Sequence, residues 1–466
     1  MPPHQGLPQP QRTWAILTVF CGLIMAVLDG SIANIALPSI SRALDADPAR
    51  TIWVVNAYQL TVTVCLLPLS SLGDILGYKR VYRVGLATFL VGSVLCALAT
   101  NLPMLVAARV LQGIGGAGIM SVNTALVRFI YPPTKLGRGI GLNALVVGVT
   151  IAVGPSLGAL ILAVGSWPWL FAVNIPVAFA ALAISRTALP ETPAQPREFD
   201  YPSAVLSAIV FGSFVLGVDA LGHAPLRLAG AAGLVAAIGL GWLLVRRQRG
   251  RVAPLVPVDL FASRAFTLAV GTSFCSFMTQ MLAFVSLPFY LEYQLARSLQ
   301  ETGLLITPWP LMVAAMALVS GRLSERYPAS ILAGAGLICL SGGLIGLALL
   351  GKDASSLDIA WRTALCGIGF GFFQSPNNRA MITATPPERS GGASGAQATT
   401  RLLGQTTGTA VVALLFGLDP TGAARGALCV AAAVAAIGAA ISLSRLRSQD
   451  DARPAVARPE PPEPDA

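Results

Sequence analysis

Charge is scarce in this chain. Asp, Glu, Lys and Arg make up 11% of its 466 residues, against about 25% in a soluble globular protein. Most side chains therefore face lipid or other helices, and a water-soluble enzyme is excluded. Histidine is rarer still, with only His4 and His223, far apart and outside the apolar runs. A histidine-based catalytic centre or metal site is thereby disfavoured. The seven cysteines, Cys21, Cys65, Cys96, Cys275, Cys339, Cys366 and Cys429, all lie in apolar segments and form no CxxC pair. They read as small hydrophobes, with no disulfide framework and no metal. No GxxxxGK[ST] phosphate loop is present, so nothing points to ATP. Paired carboxylates and nucleophile–base sets are also missing, and the longest hydrophilic stretches reach only about 20 residues. An intramembrane enzyme and a sensor with a soluble output domain are both weak readings.

What is abundant is apolar sequence, at 55%. A helix needs about 20 apolar residues to cross a bilayer, and fourteen runs qualify: 14–38, 50–72, 80–100, 103–128, 138–164, 168–189, 202–222, 226–245, 265–291, 300–323, 329–350, 358–383, 391–417 and 422–444. The 47 glycines and 33 prolines fall inside these runs as well as between them, which membrane helices tolerate because neighbours re-satisfy freed backbone groups. With both termini inside, 22 Lys and Arg fall in inner loops and tails. Only Arg42, Arg50, Arg227, Arg297, Lys352 and Arg425 lie in outer loops. That bias sets orientation, accounts for the net charge of +10 without nucleic acid, and requires an even helix count.

The expected architecture is an all-α polytopic membrane protein with cytoplasmic termini. A disordered leader (1–13) lacks a signal-peptide layout. A six-helix bundle follows (14–189), then linker loops with a two-helix insert (190–264, insert 202–245), a second six-helix bundle (265–444) and a disordered, proline-rich cytoplasmic tail (445–466). The two bundles share an inner junction. The first reads SSLGDILGYKRVY, with Asp74, Gly77, Lys79 and Arg80; the second reads SGRLSERYPAS, with Gly321, Leu323, Glu325 and Arg326. The acid and the bases after it can make inter-helix salt bridges on the cytoplasmic side. A repeated junction points to internal duplication, the layout of transporters that rock one half against the other; an ordinary charged membrane-edge loop is the competing reading of either junction alone.

Asp29 is the acid deepest inside an apolar run. An ionised Asp there costs about 2.5–3.5 kcal/mol on insertion scales. A carboxyl that is neutral or charged according to its neighbours suits proton coupling; the alternative is a structural hydrogen bond to a nearby helix end. Arg109, with Gln112 one turn on, is the natural counter-charge, or else a structural arginine on backbone carbonyls. Gly154, Pro155 and Gly158 form a hinge, a leak barrier or simply a packing face. Asn34, Trp53, Asn56, Tyr58, Gln59, Gln112, Asn123, Gln280, Phe284, Gln374, Asn377 and Gln405 are candidate cavity walls, each also explicable as inter-helix packing. An aromatic-rich, weakly acidic cavity of that kind would suit lipophilic cations. Asp219 and Glu292 read as solvated edge residues.

These segments resemble the major facilitator superfamily, specifically its fourteen-helix drug:proton antiporters. Ser70–Val81 is similar to the superfamily signature G-x-L-x-D-x-x-G-[RK]-[RK], with Ser70 for its first glycine and Tyr78 at a basic position. RVLQGIGGAG (109–118), AVGPSLGA (152–159), LDGSIANIALP (28–38) and SWPWLFAVNIP (166–176) resemble the signatures of helix 4, helix 5, helix 1 and the helix 5–6 junction. Thr150 replaces a glycine in the helix-5 pattern and Pro168 an arginine at the junction. In the second half PLVPVDLF (254–261) and GGASGAQATTRLLGQTTG (391–408) agree. The resemblance implies a monomeric proton-coupled exporter of drugs in a bacterial cell membrane, with the proton as coupling ion and no cofactor. It also implies a structural role for Arg401. Residues 391–417 hold no acid where some members carry carboxylates. A narrow exporter of one metabolite or natural product fits the same pattern.

Overall fold

The computed structural model describes residues 6–450 apart from 47, 52, 193, 195–197, 222–225, 252–253, 352 and 419–421, and the side chains of a few further helical residues, Asn34, Pro155 and Asp219 among them, lie outside the description. Among the described residues it is helical throughout. Fourteen helices of 15 residues or more run α1 (Gln11–Ala43), α2 (Trp53–Leu76), α3 (Tyr78–Ala97), α4 (Leu102–Ile130), α5 (Leu136–Val164), α6 (Asn174–Ala188), α7 (Tyr201–Leu221), α8 (Arg227–Gln248), α9 (Arg264–Phe289), α10 (Pro308–Leu323), α11 (Ala329–Ala348), α12 (Ser356–Thr383), α13 (Ser390–Leu418) and α14 (Ala423–Asp450). Among the described residues, eleven helical stretches are long and apolar enough to cross a membrane, with α6 and α10 counted together with the helical turns that precede them. Helix α12 is more polar: FQSPNNR puts amides, a hydroxyl and an arginine into the span, and the helix packs against protein on several sides.

Helix ends follow local chemistry. Asn101 caps α4 by accepting from the Met104 N–H at 2.9 Å, and Ser355 caps α12 through the Asp358 N–H at 3.1 Å, each satisfying an orphan donor of the first turn. Gly77 separates α2 from α3 at φ +88, a left-handed conformation that a Cβ would strain. Helix α5 stays unbroken through Gly154 and Pro155. Gly154 and Gly158 are buried, and a Cβ on Gly158 would stand 3.3 Å from Ile32 Cγ2 of α1. The site is a packing contact in this conformation.

Two boundaries differ from the sequence expectation. Part of the leader is ordered: the Leu7 N–H donates to the Ile130 carbonyl at 3.0 Å and Arg12 Nε to the Leu7 carbonyl at 2.8 Å, because Leu7 has an apolar seat against the end of α4. Helix α14 runs on to Asp450, and Arg445 is buried with its guanidinium on Ser442.

Packing gathers α1–α6 into one group and α9–α14 into another. One buried apolar cluster lies wholly in the first group (Leu28, Ile32, Val54, Leu105, Phe171) and one wholly in the second (Leu287, Trp309, Leu340, Phe370). A third, including Ile16, Tyr78, Leu126, Ile140, Phe266, Met381 and Ala393, draws on both. The halves are thus welded at one end, where α2 and α4 meet α13 and α5 meets α10. Helices α7 and α8 pair with each other at the periphery, and α7 touches α2 and α13.

Candidate functional site

Asp29 and Arg109 form a buried ion pair, with side chains 1% and 0% exposed. Around it the first half supplies a dense polar shell. Gln112 Nε2 donates to Asp29 Oδ1 at 2.9 Å, and Asn174 Nδ2 reaches the same oxygen at 3.3 Å. Arg109 Nη1 donates to both Asp29 Oδ2 and, at 2.6 Å, Gln112 Oε1, while its Nε donates to the Val54 carbonyl at 2.8 Å. Gln112 Nε2 also donates to Ser93 Oγ at 3.0 Å. The Tyr58 ring covers the guanidinium at 4.3 Å and the Phe171 ring at 5.4 Å, cation–π geometry that strengthens where water is excluded. The Tyr58 hydroxyl is tied to the Ala26 carbonyl at 2.8 Å. A charge pair so far from water holds only when its remaining hydrogen-bonding capacity is met. Here most of it is; among the described residues of this shell, Arg109 Nη2 is left without a partner. Both readings of Arg109 are realised together, since one guanidinium serves Asp29 and a backbone carbonyl.

Where the halves meet, each contributes an acid to a helix start in the other. Asp74 at the end of α2 accepts from the Gly391 N–H of α13 at 3.1 Å, and Glu325 after α10 accepts from the Arg138 N–H of α5 at 3.1 Å. Carboxylates are favoured at helix N-termini by the orphan N–H groups there. The cation on Asp74 is not its sequence neighbour Lys79 or Arg80. It is Arg389, at 2.8 Å and 315 positions away, because Lys79 turns outward to Glu191 at 2.7 Å and Arg80 lines a surface groove. Glu191 is 88% exposed, so that pair contributes little. Arg389 also grips Asp259 through two contacts, at 2.9 and 2.8 Å, and the Pro254 carbonyl at 3.0 Å. Tyr78 donates to Asp74 at 2.9 Å and accepts from Gly391 at 2.9 Å, so the departure from the family signature sits inside the junction.

Between the halves, beyond this junction, lies a cavity of ≈ 50 Å³. Asn123, Thr124 and Asn143 face it from α4 and α5; Gln374, Asn378, Ser394, Gln397 and Arg401 face it from α12 and α13; Leu23, Met120 and Phe277 form its apolar wall. Pockets for drug-sized ligands span about 300–1,000 Å³, so a ligand of that size does not fit this cavity in this conformation.

The expected cavity residues divide. Asn123 and Gln374 line the cavity. Gln112 and Tyr58 belong to the Asp29–Arg109 cluster instead. Asn377 is a tie between helices, donating to the Ala269 carbonyl at 2.9 Å and Ser273 Oγ at 2.8 Å. Gln280 pairs with Gln405 at 3.5 Å, and Phe284 packs against Trp309 with ring centroids 5.0 Å apart and the planes tilted by 41°. Trp53 is 45% exposed and sits at a rim with Asp45, Arg50 and Asn101, because it opens the first turn of α2. Asn56 is half-buried and Gln59 exposed beside Gly30. The weakly acidic cavity is also corrected: none of its described lining residues is a carboxylate, and one is Arg401. Sequence reasoning missed Ser93, Asn143, Asn174, Asn378, Ser394 and Gln397. Asn174 carried a signal, as the one amide in the apolar stretch WLFAVNIPVAFA.

Comparison with known proteins agrees with this construction. The family described as Major Facilitator Superfamily matches residues 19–409 and, in a second match, 269–461. An uncharacterized transporter of Escherichia coli (strain K12), YebQ, is 49% identical over 95% of this chain and 97% of its own length. The riboflavin transporter RibZ of Clostridioides difficile (strain 630) is 31% identical over 88% of this chain and 90% of its own. The multidrug efflux pump LfrA of Mycolicibacterium smegmatis (strain ATCC 700084 / mc(2)155) is 30% identical over 92% and 88%. With its helical halves, buried intramembrane ion pair and interfacial cavity, the chain belongs to the major facilitator superfamily: it is a multi-pass inner-membrane transporter and not an enzyme.

Proposed function

We propose that this transporter is a proton-coupled exporter of small amphipathic molecules, a drug:proton antiporter working by alternating access with fourteen membrane crossings and cytoplasmic termini. The observation that carries the reading is the Asp29–Arg109 pair, a titratable carboxylate held in an almost fully desolvated shell. Protonation of Asp29 would release from its charge partner a guanidinium that the Tyr58 ring covers at 4.3 Å. One proton moving down about 100 mV yields about 2.3 kcal/mol, enough to sustain about a fortyfold gradient of a neutral solute at 1.4 kcal/mol per decade. No cofactor is required, and a single chain contains every group invoked. On the positive-inside orientation the welded end is cytoplasmic, so the cavity would be sealed from inside.

The test uses inverted vesicles, a panel of fluorescent solutes (riboflavin, fluorescein and rhodamine 123), a protonophore and the Asp29→Asn chain. Accumulation by wild type that both the protonophore and Asp29→Asn abolish supports the proposal; accumulation that survives both refutes coupling at Asp29. Export of one metabolite is the second reading. The riboflavin transporter among the relatives and the hydrogen-bonding cavity favour it over export of cations.

A further inference from the structure

Of the residues that line the cavity, Arg401 alone carries a formal charge. It forms no ion pair among the described residues, and its Nε is buried with no hydrogen-bond partner. Other cavity groups are equally unsatisfied: Asn123 Oδ1, Asn378 Oδ1, Gln397 Oε1 and Ser394 Oγ are all buried without partners among the described residues. Asn123, a lining residue, spends its Nδ2 on Asn143 Oδ1 at 2.8 Å, which leaves its carbonyl oxygen as the unsatisfied group. Buried polar groups are almost always hydrogen-bonded, and a buried charge is costly unless paired. Five orphans around one small void therefore describe the complement of a ligand. Three amide carbonyls ask for donors; a guanidinium asks for an anion or a strong acceptor. The apolar wall of Leu23, Met120 and Phe277 leaves room for a flat ring. No carboxylate is on hand to receive a cation.

We infer that the interfacial cavity selects small planar organic anions that carry hydroxyl or N–H donors, bound through Arg401, and rejects lipophilic cations. The inference rests on the proposed reading of this cavity as the substrate site. It does not rest on proton coupling. Anionic ligand would neutralise Arg401 while its donors satisfy Asn123, Asn378 and Gln397, drawing on both halves at once.

Fluorescein and rhodamine 123 share one tricyclic ring system and differ in charge at neutral pH, the first anionic and the second cationic. Equilibrium binding of each dye to the purified full-length chain in detergent micelles, read by fluorescence anisotropy, tests the inference with no gradient present. Wild type should bind fluorescein at least about tenfold more tightly than rhodamine 123. Arg401→Gln should weaken fluorescein binding about tenfold or more, and Arg401→Lys, which keeps the charge but loses the planar fork, should fall between. Equal or tighter binding of rhodamine 123, no fluorescein binding at all, or an Arg401→Gln affinity within about twofold of wild type would overturn it. The dye preference of wild type needs no variant, so a misfolded substitution leaves the test intact. A chain that binds fluorescein but does not pump it against a gradient refutes the coupling proposal alone.

Discussion

Arg389 is the perturbation with the most to say about how the two halves are held together. Its side chain is 8% exposed and joins Asp74, whose side chain is fully buried, to Asp259, whose side chain is 31% exposed. Substituting alanine removes all four of its hydrogen bonds and strands Asp74. Breaking a buried ion pair costs about 3–5 kcal/mol. The lower end applies here, because Asp74 keeps the Tyr78 hydroxyl at 2.9 Å and the Gly391 N–H at 3.1 Å, and the partly exposed Asp259 arm is screened by solvent. A loss of about 3 kcal/mol from the closed junction shifts its opening equilibrium on the order of a hundredfold. Hydrogen–deuterium exchange in lipid nanodiscs reads this directly. Peptides covering residues 70–78 and 386–396 should exchange far faster in Arg389→Ala, with Arg389→Lys intermediate, while those in the outer parts of α3, α4 and α11 stay as protected as in wild type. Unchanged uptake in the two junction peptides would refute the argument, and so would a uniform rise along the chain, which would mean global destabilisation and not local opening.

Other outcomes follow from the geometry. Arg109→Lys should lose most transport while the chain still folds, since the donors of an ammonium sit on one atom, whereas the guanidinium meets the Val54 carbonyl through Nε and Asp29 and Gln112 through Nη1; vesicle accumulation beside a thermal unfolding curve checks both halves of that statement. Gly92→Ala places a Cβ 2.7 Å from the Gln112 backbone and should cost about 1–3 kcal/mol through overpacking, seen as a lower unfolding midpoint together with impaired transport, because Gln112 holds Asp29. Asn377→Ala should lower the unfolding midpoint through its two lost hydrogen bonds, about 1–3 kcal/mol, with the order of preferred solutes unchanged. Trp53→Ala should leave solute binding within about twofold of wild type in the same anisotropy measurement.

The pairing of Asp29 with Arg109 was legible because an ionised side chain in an apolar span is too costly to stand alone, and the first half offers few candidates. The layout of helices was legible for the same reason in reverse: water-averse runs have to be buried or face lipid. What the sequence did not reveal was which partner each polar group takes. Asp74 stands five positions from Lys79 and pairs with a residue 315 positions away, a choice made by how the halves dock. Asn377 and Asn378 are neighbours in sequence, yet a helix turns them to different faces. One ties α12 to α9 and the other borders the cavity. Short polar residues such as Ser93 and Asn174 carry too little hydropathic weight to stand out. Trp53 misled because an aromatic at the end of a membrane helix serves a rim as well as a binding wall. Arg401 was conspicuous in the sequence, but only the fold shows that no described carboxylate answers its charge.

The peripheral pair α7–α8 has a consequence for what the surrounding lipid can reach. Two seams run between the halves, one where α2 meets α13 and one where α5 meets α10. Helix α7 lies over the first, touching both of its helices, and leaves the second without a comparable cover among the described residues. A bundle that would otherwise present two equivalent sides to the bilayer thus has one seam shielded by α7 and one packed but bare to lipid. Any rocking of the halves would slide past α7 on one side only.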